Sequence, residues 1–518
     1  MDSTLTVQLE RGGEAAPLFE QLAAQIRRGI ESGGLPAGSR LPSTRALAAQ
    51  LAVSRTVTGE AYATLIAEGY LDSRRGSGTF VVELLPKPAG REGDRRRARS
   101  ARGDEGPPAK RASTPRWLSR RFEEAQVDPP ADPAIPFRIC EPDAESFPDQ
   151  AWRTAARSAI REPIPEGYPP PEGDEGLRRA VAAFLFQERG LQVDADELIL
   201  TSGTAQSLDL IARATIRPGD RIAFEDPGYR LARQIFTDRG AEILPVPVDE
   251  EGLRVERLMA ACEGQDAAGS RPLPTAVYLT PSHQFPYGSA LCYRRRLALL
   301  EWAARREVLV IEDDYDSEFR FDGPILPSLK SSDERGDVAA YLGTFSKSLS
   351  PRLRVGYLIA PEPLREAVLR LRVRSDQGSS WLTQRALAHY LQSGSFTRHL
   401  RRMRRLYRRR RDLLIQSLEP LESGLRWSGL AAGLHATLIL PESLSADLIV
   451  ERCRERGVNL ATLRHYQAAG SPESSSSYNG LVVGYGASSE DQIETAARIL
   501  RSVLASARPH APPGARSG

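Results

Sequence analysis

AAYLGTFSKSLSPRLRVGYLIAP, residues 339–361, sets one lysine between two apolar runs. The first run has the composition of a buried strand and ends in small polar residues, and the second begins another strand. Lys347 therefore falls on the connection between two strands, where a lysine can condense with a carbonyl compound held nearby. Taken alone it reads as a solvated charge, so its neighbours decide. Upstream by 34 residues, VLVIEDDYDSEF (308–319) closes a second buried strand on Asp313 and Tyr315. A carboxylate at such a strand end can keep a pyridine nitrogen protonated, which makes the ring an electron sink. Arg354, seven residues beyond Lys347, suits a phosphate, although by itself it reads as a surface charge.

Two further turns extend the pattern. ILTSGTAQSLDLIAR (199–213) passes from strand to helix through Ser202, Gly203 and Thr204. Small residues at a helix N-terminus let backbone N–H groups and hydroxyls converge on an anion, while the plainer reading is an ordinary turn. EDPGYR (225–230) places Tyr229 after a third strand, where it can stack on a ring or fill the core. Short apolar runs alternate with amphipathic helices from about residue 135 onward: ELILTSG, RIAFED, TAVYLTP and VLVIEDD, each followed by helical sequence. That alternation predicts an α/β fold with parallel strands and helical crossovers. Past Ser379 come long helices and then a smaller α/β lobe carrying LHATLILP and GLVVGYG.

At the other end, residues 32–81 read SGGLPAGSRLPSTRALAAQLAVSRTVTGEAYATLIAEGYLDSRRGSGTFV. Leu47, Leu51, Val53, Val57, Tyr62 and Leu65 predict two helices around the turn 51–54, which is helix-turn-helix spacing. Ser43 and Ser54 are the N-caps, so the second helix begins with Arg55 and Thr56 at the end that enters a major groove. Arg74, Arg75 and Gly76 then make a basic turn between two strands, as a wing requires. Arg55 alone would be a surface arginine; the full set is what points to DNA.

The 518 residues bound this picture, being too many for one domain at roughly 150 residues each. Four separate regions follow: a DNA reader at 14–83, a charged flexible linker at 84–132, a large domain at 133–508 and a disordered tail at 509–518. The linker is rich in Arg, Gly, Pro and Asp and holds too few apolar residues to bury a core. A hydrophobic content of 41% and a charged content of 26% fit a globular chain, with no apolar run near the ~18 residues that span a bilayer. The start MDSTLTVQLERG lacks a signal-peptide pattern, so a cytoplasmic chain with no membrane partner is expected. Cys140, Cys262, Cys292 and Cys453 are scattered without metal-type spacing, and neither disulfides nor a metal site is expected. The net charge of +3 is too small to mark the whole chain for nucleic acid.

Residues 35–81 resemble the GntR-type winged helix-turn-helix in LPS-x-R-x-LA-x-x-L-x-VSR and the closing G-x-GTFV. The resemblance implies that Arg45, Ser54, Arg55, Thr56 and Gly76 touch DNA, with Arg40 a weaker addition. Residues 135–505 resemble the fold-type-I aminotransferases, and the two-part chain is similar to the MocR/GabR regulators. It implies pyridoxal 5′-phosphate (PLP) as cofactor, joined to Lys347 as a Schiff base. Asp313 would pair the pyridine nitrogen, Tyr315 reach the ring hydroxyl, Tyr229 stack on the ring, and Ser202, Gly203, Thr204 and Arg354 hold the phosphate. Tyr168, in EGYPPPEGDEGLRRAVAAFL, matches a tyrosine that reaches the neighbouring subunit's phosphate, which implies a homodimer.

Two departures bear on function. TPSHQFPYG (280–288) has Phe285 where the enzymes carry an asparagine, removing a polar partner of the ring hydroxyl. NGLVVGYG (479–486) lacks the arginine that clamps a substrate carboxylate; Arg464 in GVNLATLRHY is the replacement in this reading, with Arg230 and Arg233 as alternatives. The expectation is a regulator of operator DNA that senses a small amine, an amino acid or PLP itself. The alternative is an active aminotransferase with an appended DNA-binding domain, and a DNA-binding scaffold with a dead enzyme fold conflicts with the retained Lys347 and Asp313. The arginine-rich segment 395–418 reads as a solvated amphipathic helix rather than a DNA reader.

Overall fold

The computed structural model describes residues 7–10, 16–74, 77–82, 135, 137–263, 273–324, 326–419, 424–471 and 478–507. The expected linker at 84–132, the tail at 509–518, and Arg75 and Gly76 in the wing lie outside the described residues. The chain divides into two compact units, 1–115 and 116–518.

In the first unit, helix α1 (Leu18–Glu31) turns Leu22, Ala23, Ile26 and Ile30 inward at helical spacing. Helices α2 (Thr44–Leu51) and α3 (Arg55–Ala67) follow, with Ser43 and Ser54 accepting the backbone N–H groups of Ala46 and Val57 at 3.2 and 3.3 Å. Between them Ala52 is left-handed, ending α2 so that α3 can start at a new angle. Tyr62 donates to Pro42 O at 2.8 Å and Thr58 to Thr44 O at 2.9 Å, fastening α3 to the start of α2. Strands β1 (Arg40–Leu41), β2 (Leu71–Arg74) and β3 (Gly78–Val81) pair antiparallel in the order β1-β3-β2. Leu22, Ile26, Leu47, Ala61, Leu65, Leu71 and Val81 close one core beneath them.

The second unit is built on an eight-stranded sheet ordered β4-β11-β10-β9-β8-β5-β6-β7. Its members are β4 (Leu198–Thr201), β5 (Arg221–Asp226), β6 (Glu242–Asp249), β7 (Gly252–Leu253), β8 (Ala276–Leu279), β9 (Leu309–Asp314), β10 (Ala339–Thr344) and β11 (Gly356–Ile359). The strands β6, β5, β8, β9 and β10 run parallel, and helices such as Arg230–Asp238 and Tyr293–Arg306 connect them. The expected parallel sheet is corrected at β11, which is antiparallel to both β10 and β4, and at β7, which is antiparallel to β6. A four-stranded antiparallel sheet, β12-β13-β15-β14, forms the smaller lobe. Its strands are β12 (Arg426–Ser428), β13 (His435–Ile439), β14 (Ala461–Thr462) and β15 (Gly480–Gly484), flanked by helices Ala446–Glu455 and Glu490–Ser506.

Beside packed side chains such as Val248 and Tyr478, the lobe meets the large sheet at one point through bare backbone. Gly288, after β8, and Gly429, after β12, have φ of +87° and +82°, and a β-carbon on either would strike the other's Cα. None of the described helices is long and apolar enough to cross a membrane.

Candidate functional site

Parallel strands leave a crevice at their carboxyl ends, and the residues just past those ends face it. Here β4, β5, β8, β9 and β10 deliver Thr204, Tyr229, Thr280, Asp313 with Tyr315, and Lys347 to one cavity of about 210 Å³. Cys140, Phe285 and Arg354 complete its wall.

Lys347 follows β10 on a turn in which Thr344 Oγ1 accepts the backbone N–H of Ser346 at 3.1 Å. Its amine makes no ion pair among the described residues. Asp313 is buried at the end of β9; one carboxylate oxygen accepts the Tyr278 hydroxyl at 2.8 Å, and the other has no partner among the described residues. Burial pushes the Asp313 carboxyl up to about 7, against the opposing pull of the Tyr278 hydroxyl and Lys347. An unpartnered carboxylate oxygen on a cavity wall calls for a donor from outside the chain.

At the mouth, helix Thr204–Thr215 starts without a side-chain cap, leaving its first N–H groups to the cavity. Gly203 has φ +105° and a β-carbon there would sit 2.9 Å from the Arg354 guanidinium, so only glycine lets the arginine lie over this turn. Ser202 does not line the cavity; its hydroxyl is 3.3 Å from that of Ser379. Tyr229 meets Phe285 edge-on at 5.6 Å. Tyr315 donates to His283 O at 3.0 Å. The cavity therefore combines an amine, an acid with a free oxygen, a cation beside a helix N-terminus and an aromatic wall.

The structure does not bring Arg464 to this cavity. It is exposed, with Nη1 3.1 Å from Asp447 Oδ2, because the short turn Leu463–Tyr466 directs it outward. Arg233 donates to Tyr466 O and Gln467 O at 3.1 Å, and Arg230 lies 2.5 Å from His465; neither lines the cavity. Tyr168 is 81% exposed. Sequence reasoning missed Tyr278, the partner of Asp313, and Cys140. It also passed over Glu225, which accepts the Thr280 N–H and hydroxyl at 2.9 and 2.7 Å and is pushed up to about 7 by burial.

In the first unit Arg45, Ser54, Arg55, Thr56 and Arg74 are all exposed. Arg55 and Thr56 begin α3, and Ser54 uses its hydroxyl as the cap. Arg74 ends β2, 3.1 Å from Asp72 and 5.0 Å over the Phe80 ring. Arg40 lies against Gly78, whose added β-carbon would fall 2.8 Å from the guanidinium.

Known proteins place both units. Residues 18–81 match the bacterial regulatory proteins of the gntR family, and residues 136–476 match aminotransferase class I and II. The HTH-type pyridoxine biosynthesis transcriptional regulator PdxR of Corynebacterium glutamicum is 36% identical over 93% of this chain and 94% of its own length. The probable rhizopine catabolism regulatory protein MocR of Rhizobium meliloti is 32% identical over 94% of each. Pyrococcus horikoshii kynurenine aminotransferase, solved with PMP, superposes with a TM-score of 0.69 at 25% identity, covering 75% of this chain and 97% of its own. The chain thus belongs to the MocR/PdxR-type HTH transcriptional regulators, in which a gntR-family DNA-binding domain is joined to an aminotransferase class I and II domain.

Proposed function

We propose that this regulator acts as a homodimer on operator DNA and holds PLP in the cavity of its second unit. One observation carries the reading: Lys347, the free oxygen of Asp313, Arg354 and Tyr229 face a single cavity in a chain that also has a gntR-family reader. PLP, when bound, supplies an aldehyde that condenses with amines and a ring that withdraws electrons. Lys347 offers the amine for the aldehyde. The unpartnered oxygen of Asp313 would accept a hydrogen bond from the protonated ring nitrogen, Tyr229 would lie against the ring, and Arg354 with the uncapped N–H groups at Thr204 and Ala205 would take the phosphate. Phe285 and Tyr315 line the same cavity, with the Tyr315 hydroxyl donating to His283 O.

Among the described residues of the cavity wall, Lys347 and Arg354 are the cations, and the cofactor engages both. A carboxylate-bearing amino acid would need a further clamp, and Arg464 faces Asp447 instead. The effector favoured here is therefore PLP itself, ahead of an amino acid. Exposed Ile160, Ile164 and Tyr168, at 65%, 83% and 81%, support a subunit interface along that stretch.

The test titrates PLP into cofactor-free full-length protein while following visible absorption and operator binding together. A new visible band and a shift in operator affinity are expected, both lost in Lys347→Ala. Borohydride reduction and peptide mapping should place the cofactor on Lys347. Mapping to another lysine would overturn the site, and steady production of oxo acid from an amine at about 1–10³ per second would make the chain a working transaminase.

A further inference from the structure

Cys140, on the cavity wall, belongs to a buried cluster that has no part in the cofactor reading. Cys140 has φ +57°, in the left-handed region that glycine normally occupies. The chain on either side of it lies flush against the small lobe, since a β-carbon on Gly484 would strike Arg138 O and one on Gly486 would strike Glu141 O. A residue with a side chain is thus kept where the backbone favours none, and that side chain reaches the cavity wall. Its Sγ lies 3.4 Å from Nδ1 of His435, the first residue of β13. His435 Nε2 is 3.2 Å from Pro286 O, so Nε2 carries the hydrogen and Nδ1 keeps a lone pair toward the thiol. The thiol sulfur, a ring nitrogen of His435 and a carboxylate oxygen of Asp316 all lie within 4.8 Å of one another. Asp316 is in turn held by His283, with Oδ2 3.0 Å from Nδ1.

We infer that Cys140, His435 and Asp316 form a zinc-binding site at the inner wall of the cavity. In a tetrahedral site, zinc–sulfur and zinc–nitrogen bonds of about 2.3 and 2.0–2.1 Å set the two ligand atoms about 3.5 Å apart, and Cys140 and His435 stand at 3.4 Å. Asp316 offers a carboxylate oxygen within 4.8 Å of both. One sulfur, one imidazole and one carboxylate suit zinc over magnesium or calcium, which take oxygen ligands. A carbonyl on the far nitrogen of His435 and an imidazole on Asp316 are the outer partners that metal ligands carry. Binding breaks the Cys140 S–H bond and forms a sulfur–zinc bond, with the proton leaving through the cavity. Thiolate and carboxylate together then neutralise the divalent charge in a buried place. Of the three ligands, Cys140 lines the cavity. The sequence excluded a metal because its ligands lack local spacing; the fold assembles them from three distant segments.

Chelator-treated, cofactor-free full-length protein titrated with Co²⁺ tests the site independently of PLP. One equivalent per chain should give a near-ultraviolet thiolate-to-cobalt band and tetrahedral visible bands, both bleached by Zn²⁺. Cys140→Ser should abolish the ultraviolet band while Cys292→Ser keeps it, and His283→Ala should weaken zinc binding roughly 10- to 100-fold. Should Cys140→Ser fail to fold, X-ray absorption on the zinc-loaded wild type decides, with one sulfur at about 2.3 Å expected. A missing stoichiometric band, a band that survives Cys140→Ser, or a zinc shell without sulfur overturns the site.

Discussion

Asp313 turns burial into a dependence on pH. Its carboxyl is pushed up to about 7 in the folded chain, whereas an unfolded chain releases that proton near about 3.9. Between these values the folded state binds the extra proton, so its stability contribution is present at low pH and is lost as pH rises toward about 7. Glu225 and Glu312, also raised to about 7 by burial, and Glu318, raised to about 8, act in the same direction. His399 and His435, whose pKa values burial lowers, offset part of this below about pH 6.5; the Tm of cofactor-free protein should still fall from about pH 5 to about pH 8, and Asp313→Asn should flatten part of the fall. A Tm that climbs across this range would contradict protonated carboxyls. With PLP loaded, a protonated ring nitrogen facing Asp313 favours the carboxylate and the fall becomes shallower. On the DNA side, Arg55→Ala should lower operator affinity by about 1–3 kcal/mol with little effect on scrambled duplex. Salt titrations on both DNAs measure this, and equal losses would assign Arg55 to phosphate. Arg74, already shared with Asp72 and Phe80, should contribute mainly salt-dependent affinity.

Helices α2 and α3 depend on their first turns. Ser54→Ala removes the acceptor of the Val57 N–H and should cost about 1 kcal/mol of stability in the first unit. The measurement is denaturant unfolding of the full chain, and Ser54→Asp should restore most of the loss. These caps were legible because serine stands immediately before each apolar-periodic run. The strands around Lys347 were legible for a similar reason, whereas the joining of Tyr229, Asp313 and Lys347 in one site was read from the family resemblance, since each alone had a plainer reading. The direction of β11 was not legible, because an apolar run looks the same whichever way it points. Nothing in TAVYLTP singles out Tyr278, and only the register of β8 beside β9 brings its hydroxyl to Asp313. Arg464 was placed by its position in the chain, but the turn Leu463–Tyr466 sends its guanidinium to Asp447. His283 and His435 escaped notice because nothing local ties residue 283 to residue 435.

Two gntR-family readers per dimer imply an operator with two half-sites, and dimer formation is the premise to test first. Ile164→Asp places a charge on a side chain that is 83% exposed in the single chain. Sedimentation should show it shifting the protein toward monomer, with operator affinity falling alongside; an unchanged dimer would place the interface elsewhere. Within the second unit, the contact between Gly288 and Gly429 has a mechanical meaning. Two backbones touch there with no side chain between them, and His283 lies beside both, 3.4 Å from a β-carbon built on Gly288 and 3.3 Å from one built on Gly429. The pair behaves as a shim of zero thickness between lobe and sheet: one methyl group on either glycine would meet the other's backbone, and the seam would have to part locally to admit it.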